Sequence, residues 1–171
     1  MKPSILILIA ACAAPLAHAH ITLEQSSAPA GAYQKLTFRV GHGCDGSATN
    51  TVTVQLPEAV TGAKPMPKQG WNVSSTSGQP TTPLDTGNGA VTSAAREVSW
   101  KGGPLPDWQY DEFVMQVKLP EIPGKYYFKV IQLCDKGRAE WSDIPAAPGV
   151  KLKTPAPVLE VVPAAGPVHQ H

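Results

Sequence analysis

Residues 33–40 read YQKLTFRV, a run in which every second side chain from Leu36 to Val40 is apolar. Successive side chains of a β-strand point to opposite faces, so this period of two buries one face and leaves the other polar. The same alternation recurs in residues 51–56 (TVTVQL) and in residues 111–119 (DEFVMQVKL). The three runs predict strands that each bury one face in a common core.

Shorter runs of this kind continue on both sides, separated by Gly, Pro, Asn and Asp. The further predicted strands are residues 20–24, 71–74, 90–100, 125–133, 140–142 and 158–162. Residues 125–133 are apolar on both faces, which predicts a central strand that forms a hairpin with residues 111–119. Residues 59–90 and 100–110 are predicted to be mostly irregular. No run has a helical period of adequate length, so we predict an all-β, antiparallel β-sandwich.

The charge balance limits the classes of partner. The 171 residues include 14 Lys and Arg against 13 Asp and Glu. A nucleic-acid-binding domain usually carries a basic surface and an anionic membrane attracts a polybasic run, and neither feature is present. Beyond about the first 20 residues, no apolar stretch is long enough to span a bilayer. We therefore expect no nucleic-acid partner and, once the leader has been removed, no membrane.

The first nineteen residues have the features of a secretory signal peptide. Lys2 gives a positive start, residues 5–16 are mostly apolar, and Ala17-His18-Ala19 is a small-x-small cleavage signal. Cleavage after Ala19 makes His20 the first residue of the mature chain and frees its α-amino group. The signal peptide, residues 1–19, predicts a periplasmic or secreted protein.

A first residue that is histidine offers two metal-binding nitrogens at once. The amine and the imidazole of His20 can chelate one ion together, and nitrogen pairs of this kind suit copper among the divalent first-row metals. A competing interpretation concerns residues 9–12, Ile-Ala-Ala-Cys, which weakly resemble a lipidation box. Lipidation at Cys12 would keep His20 internal and remove this chelate.

Two cysteines remain after the signal peptide, Cys44 and Cys134. Two cysteines in an exported chain allow one intramolecular pairing, so we predict a Cys44–Cys134 disulfide. The alternative is a reduced pair that binds copper(I).

The predicted disulfide also gathers polar residues at one end of the sandwich. Because successive antiparallel strands reverse direction, joining Cys44 to Cys134 brings several loops and strand ends to the end that holds His20. The residues gathered there are His20, His42, Asp45, Glu112, Asp135, Glu140 and Trp141. Glu24 lies roughly 13 Å from His20 at ~3.3 Å per residue, so Glu112 is the better placed carboxylate.

Three further histidines are alternative metal ligands. His42 lies in a glycine-flanked loop, GHGCDG at residues 41–46, where it is either a second ligand or a turn residue. His169 and His171 end a Pro- and Ala-rich tail, residues 164–171, that we expect to be disordered and therefore a weak site.

A series of short motifs runs in order through nearly all of the predicted mature chain, from His20 to about Val162. They are HITL (20–23), APAGAY (28–33), LTFRV (36–40), TVTVQLP (51–57), PKQGW (67–71), DEF (111–113), KLP (118–120) and QLC (132–134), with Trp141 after them. The series resembles the YcnI-like family of exported copper-binding domains, and residues 41–46 resemble its Gram-negative branch. Many relatives carry a glutamate near position 34, where this chain has Gln34.

The resemblance implies an immunoglobulin- or cupredoxin-like sandwich over residues 20–163. It also implies a copper(II) ion held by His20 in a single-histidine brace, with Trp141 close to the metal and a carboxylate contributing. Glu112 is the match that we favour for the carboxylate.

The predicted function is copper homeostasis without catalysis, in which the protein buffers copper(II) or delivers it to another copper-handling protein of the periplasm. One alternative is a metal-free β-sandwich that binds a protein partner, because fold alone does not define function. A second is a copper monooxygenase-like enzyme. The polysaccharide monooxygenases complete three nitrogens with a second histidine, which only His42 could supply here.

Overall fold

The structure is a computed structural model that describes residues 20–81, 84–85 and 90–164, with the backbone alone described at 84–85 and 90–91. The signal peptide predicted for residues 1–19, including Cys12, lies outside the described residues. The tail histidines, His169 and His171, lie outside them as well.

The described residues form β-strands joined by turns and loops, without a helix. The strands are β1 (Thr22–Leu23), β2 (Ser27–Pro29), β3 (Tyr33–Val40), β4 (Thr49–Gln55), β5 (Thr61–Pro65), β6 (Trp71–Gly78), β7 (Leu84–Asp85), β8 (Ala90–Val91), β9 (Ala94–Leu105), β10 (Asp111–Lys118), β11 (Gly124–Tyr127), β12 (Lys129–Cys134), β13 (Arg138–Trp141) and β14 (Val158–Val162). In these ranges no helix is long and apolar enough to cross a membrane.

Two larger sheets hold most of the strands. One has the order β1-β3-β10-β5 and the other the order β13-β12-β4-β9-β6, with antiparallel neighbours throughout. A smaller sheet has the order β11-β14-β2, in which β14 and β2 are parallel, and β7 pairs with β8. The prediction of an all-β antiparallel sandwich is confirmed.

The apolar faces of the two large sheets meet in one core. Leu36, Phe38 and Val40 of β3 are fully buried, as the alternation in residues 33–40 predicted. Phe113 of β10 packs edge-on against Trp100 of β9, with ring centroids 5.6 Å apart. Contacts of this kind join the two sheets and fix the position of the strand ends that carry the candidate site.

Residues 125–133 do not form the single central strand that their sequence predicts. The chain leaves one sheet at Phe128, so β11 pairs with β14 while β12 pairs with β4 and β13. A segment that changes sheets is covered on different sides along its length, which explains why both of its faces are apolar. The predicted hairpin with residues 111–119 is also wrong, because β10 pairs with β3 and β5.

The stretches predicted to be irregular contain further pairing. Residues 59–90 include β5 and all of β6, and β9 extends through residues 100–105. Strand β6 lies at a sheet edge and its side chains are mostly exposed. Backbone pairing at an edge needs no apolar alternation, so the sequence pattern predicted only residues 71–74 of β6 and missed β5.

The predicted Cys44–Cys134 disulfide is present, with the two Cα atoms 5.9 Å apart. At the same end of the sandwich β1 begins, β3 ends and β10 begins, because Thr22 pairs with Arg39 and Asp111 pairs with Val40. We call this the His20 end.

Candidate metal centre

Trp141, the last residue of β13, lies at the centre of the candidate site. It is 5% exposed, and two imidazoles contact its indole. The ring of His20 lies 5.7 Å from it between centroids, at an interplanar angle of 83°. The ring of His42 lies 5.9 Å away at 75°. The structure therefore brings together three of the residues that the strand topology gathered at this end.

A buried glutamine fixes the orientation of Trp141. Gln132 of β12 is fully buried, and its Oε1 accepts a hydrogen bond from Trp141 Nε1 at 3.1 Å. Its Nε2 donates to the carbonyl oxygen of His42 and to Thr49 Oγ1, each at 2.7 Å. One carboxamide thus connects the indole to the loop that carries His42.

Gln132 was not predicted as a residue of the site. It occupies an inward-facing position of β12 between Val130 and Cys134, which are also buried. A glutamine at such a position needs partners for both its N–H groups and its oxygen, because a buried polar group without them is costly. This departure from the apolar alternation was the signal that could have identified it.

The loop that carries His42 is held from several sides. The backbone N–H of Gly43 donates to Asp107 Oδ1 at 2.9 Å, and that of Cys44 donates to the Ser47 carbonyl at 3.0 Å. His42 Nδ1 is hydrogen-bonded to the Gly43 carbonyl. Since a carbonyl oxygen can only accept, Nδ1 carries the proton in this bond, and Nε2 is the ring nitrogen that is available to a metal ion.

The structure places Glu112 on Arg39 rather than on either histidine. Glu112 and Arg39 face each other on β10 and β3, and their Oε1 and Nη2 atoms are 3.1 Å apart. Glu24 Oε1 lies 3.8 Å from the same guanidinium atom. Both glutamates belong to one arginine-centred cluster on the outer face of the sheet. The role of Glu112 as a copper ligand stays a prediction, because only its Oε1 contacts Arg39 and neither histidine is its partner.

Asp45 is exposed in the loop of His42, and two other acidic residues gathered at this end have partners of their own. Asp135 accepts a hydrogen bond from Asn50 Nδ2 at 3.2 Å. Glu140 forms an ion pair with Arg138. Within the part of the chain that the structure describes, no group of three or more His, Cys, Asp or Glu side chains is arranged to hold a metal ion.

The nitrogen donors of His20 nevertheless fit a metal ion that needs few protein side chains as ligands. His20 contributes two donors from one residue once a free amine precedes its imidazole, so a three-side-chain cluster is not required. Trp141 is no nitrogen donor here, because its N–H is bound to Gln132. Its ring is a wall against which His20 is held.

Replacing Gln132 by leucine is expected to lower the free energy of unfolding by about 1–3 kcal/mol, because the Trp141 N–H and the His42 carbonyl lose a buried partner. Gln55→Leu is the matched control, since Gln55 is only half-buried and bonds to Glu97. Urea denaturation measures both variants. Equal losses in the two would contradict a special role for Gln132.

Comparisons with known proteins give a family and a fold for the chain. The family model described as a domain of unknown function, DUF1775, matches residues 20–161. An uncharacterized protein from Nocardia farcinica, solved by crystallography and described as revealing an immunoglobulin-like fold, is 28% identical with a TM-score of 0.66. That match covers 85% of this chain and 99% of the other. No curated protein matches the chain.

Proposed function

We propose that this chain, which belongs to the DUF1775 family, is an exported protein that binds copper(II) and buffers or delivers it in the periplasm or outside the cell. The observation that carries the proposal is the contact of His20 with the indole of Trp141 at the His20 end of the sandwich. Removal of the leader predicted for residues 1–19 gives this residue a free amine. The sequence motifs that resemble the YcnI-like copper domains support the same assignment.

Copper(II) is the cargo that suits these donors. It prefers a tetragonal arrangement of nitrogen and oxygen ligands, and an amine and an imidazole on one residue occupy two adjacent positions of such a plane. The indole of Trp141 lies against the His20 ring and limits access to the ion from that side. The protein itself performs no redox step in this proposal; it holds the ion and transfers it to a copper-handling partner.

Glu112 is the proposed oxygen ligand, and its replacement by glutamine tests that assignment. Its ion pair with Arg39 is partly exposed, with 38% of the Glu112 side chain and 46% of the Arg39 side chain accessible. Loss of an exposed pair changes the free energy of unfolding by less than about 1 kcal/mol. A fall in copper(II) affinity without a fall in stability is therefore expected in Glu112→Gln. Unchanged copper(II) affinity in this variant would show that another group supplies the oxygen ligand.

A metal-free interaction module is the second candidate function. The loop between β9 and β10 exposes two large aromatic side chains, Trp108 at 81% and Tyr110 at 68%. Asp107 of the same loop binds Gly43, so this aromatic surface is tied to the loop of His42. Aromatic residues are enriched in protein interfaces. Absence of copper after equilibrium dialysis of correctly processed protein would favour this candidate.

Titration of copper(II) into protein that begins at His20 tests the proposal. The readout is competition with a chromogenic chelator, for the wild type and for His20→Ala. A His169→Ala/His171→Ala variant is the matched control, because it removes two imidazoles from the tail whereas His20→Ala removes one from the candidate site. We expect binding to be lost in the first variant and kept in the second.

Two results would contradict the proposal. The first is equal copper(II) affinity in the wild type and in His20→Ala. The second is ascorbate-driven peroxide production with oxidised polysaccharide products, which would indicate a copper monooxygenase rather than a carrier.

A further inference from the structure

The two histidines of the candidate site come from neighbouring positions of the backbone. Strand β1 begins at Thr22 and pairs with Arg39 near the end of β3. His20 precedes β1 by two residues, and His42 follows Val40, the last residue of β3, by two. Both side chains then turn onto the same indole, with centroid distances of 5.7 Å and 5.9 Å.

His42 is held in an orientation that suits a metal ligand. Its Nδ1 donates to the Gly43 carbonyl, which directs the ring and makes Nε2 the nitrogen that can bind a metal ion. Metal-binding histidines almost always donate their other ring N–H to a carboxylate, a backbone carbonyl or water, because this bond fixes the tautomer and the ring orientation.

The backbone around His42 is more tightly held than a simple turn requires. Gln132, fully buried, donates to the His42 carbonyl, and Asp107 accepts from the next N–H. Two residues after His42, Cys44 is bonded to Cys134. Gln132 also binds Trp141, so the loop, the indole and the contact with His20 form one connected arrangement.

We propose that Nε2 of His42 is a second imidazole ligand of the copper ion bound by His20. The inference rests on the proposed function and goes beyond the single-histidine brace. The amine and imidazole of His20 and the imidazole of His42 then supply three nitrogens, and one position of a tetragonal plane remains for an oxygen. Gln132 is the positioning residue, since it holds both the loop of His42 and the ring of Trp141.

Pulsed electron paramagnetic resonance of copper(II)-loaded protein tests this proposal, because the remote nitrogen of each bound imidazole modulates the signal. The protein begins at His20 and carries His169→Ala and His171→Ala, so that the tail adds no imidazole. We expect two bound imidazoles in this background and one after His42→Phe. Phenylalanine keeps a ring against Trp141 but offers no lone pair. Copper(II) affinity is expected to fall by about tenfold or more, since even indirect support of a ligand is worth about 10–100-fold.

The outcomes separate this inference from the proposed function. One bound imidazole in the background protein, with His42→Phe binding copper(II) as tightly, would overturn the role of His42 as a ligand while His20 still binds. It would leave His42 as a packing residue over Trp141. Failure of the background protein to bind copper(II) at all, or unchanged binding after His20→Ala, would overturn both.

Discussion

Acetylation of the α-amine of mature His20 is expected to lower copper(II) affinity by on the order of 100-fold or more. The acetyl group converts the amine of His20 into an amide and brings no amine of its own, while the imidazole is left in place. Loss of a group that merely supports a ligand costs about 10–100-fold, and loss of a directly bound nitrogen should cost at least as much. Chelator competition measures the change.

The acetyl group should leave the fold intact, because His20 lies before the first strand and β1 begins at Thr22. The thermal midpoint is therefore expected to stay within about 2 °C, as for a change that costs less than about 0.5 kcal/mol. Protein with the free His20 amine, prepared in the same way, is the matched control and should keep both quantities. Equal copper(II) affinities for the acetylated protein and the free-amine protein would show that the amine does not bind the ion.

Replacing Cys44 and Cys134 together by alanine is expected to lower the free energy of unfolding by about 4 kcal/mol. The disulfide closes a loop with a sequence separation of 90, and cross-links over loops of this length restrict the unfolded chain strongly. Both cysteines are buried, at 7% and 8% exposure, so the variant also loses packing. Guanidinium denaturation of the oxidised wild type and of the variant measures the difference.

The same substitution should weaken copper(II) binding. Cys44 lies two residues after His42, and Cys134 lies two residues after Gln132, so the bond fixes both parts of the arrangement around Trp141.

Wild-type protein kept fully reduced is the control for the stability measurement and should resemble the variant in its free energy of unfolding. A difference of less than about 1 kcal/mol between oxidised wild type and variant would contradict a structural role for the disulfide.

The sequence predicts the interior strands of this fold well and misses some of its edge strands. The alternation in residues 33–40 and 111–119 identifies β3 and β10, because each buries one face in the core. Strand β5 was not predicted because it has little apolar alternation. Its pairing with β10 is made by backbone hydrogen bonds, which any sequence can form. The break at Phe128 was hidden for a different reason. A strand that leaves one sheet for another and a strand buried on both sides give the same apolar run.

The sequence predicts those residues of the candidate site that have a signal in their own segment, and it does not predict the contacts between segments. The cleavage signal identified His20, and the position of Trp141 after the last cysteine placed it at the same end. The partner of Glu112 is Arg39, which could not be predicted from local sequence. It lies 73 residues away and faces Glu112 only once β3 and β10 have paired. The role of Gln132 likewise depends on contacts with Thr49 and His42, on other segments.

Native mass spectrometry of the protein exported with its own leader, in the presence of one equivalent of copper(II), tests whether the mature chain begins at His20 and binds copper. It reports the first residue of the mature chain and the bound metal in one measurement. We expect a species that begins at His20, contains one disulfide and carries one copper ion. A mature chain that begins at another residue, or one that begins at His20 and carries no copper, would contradict it.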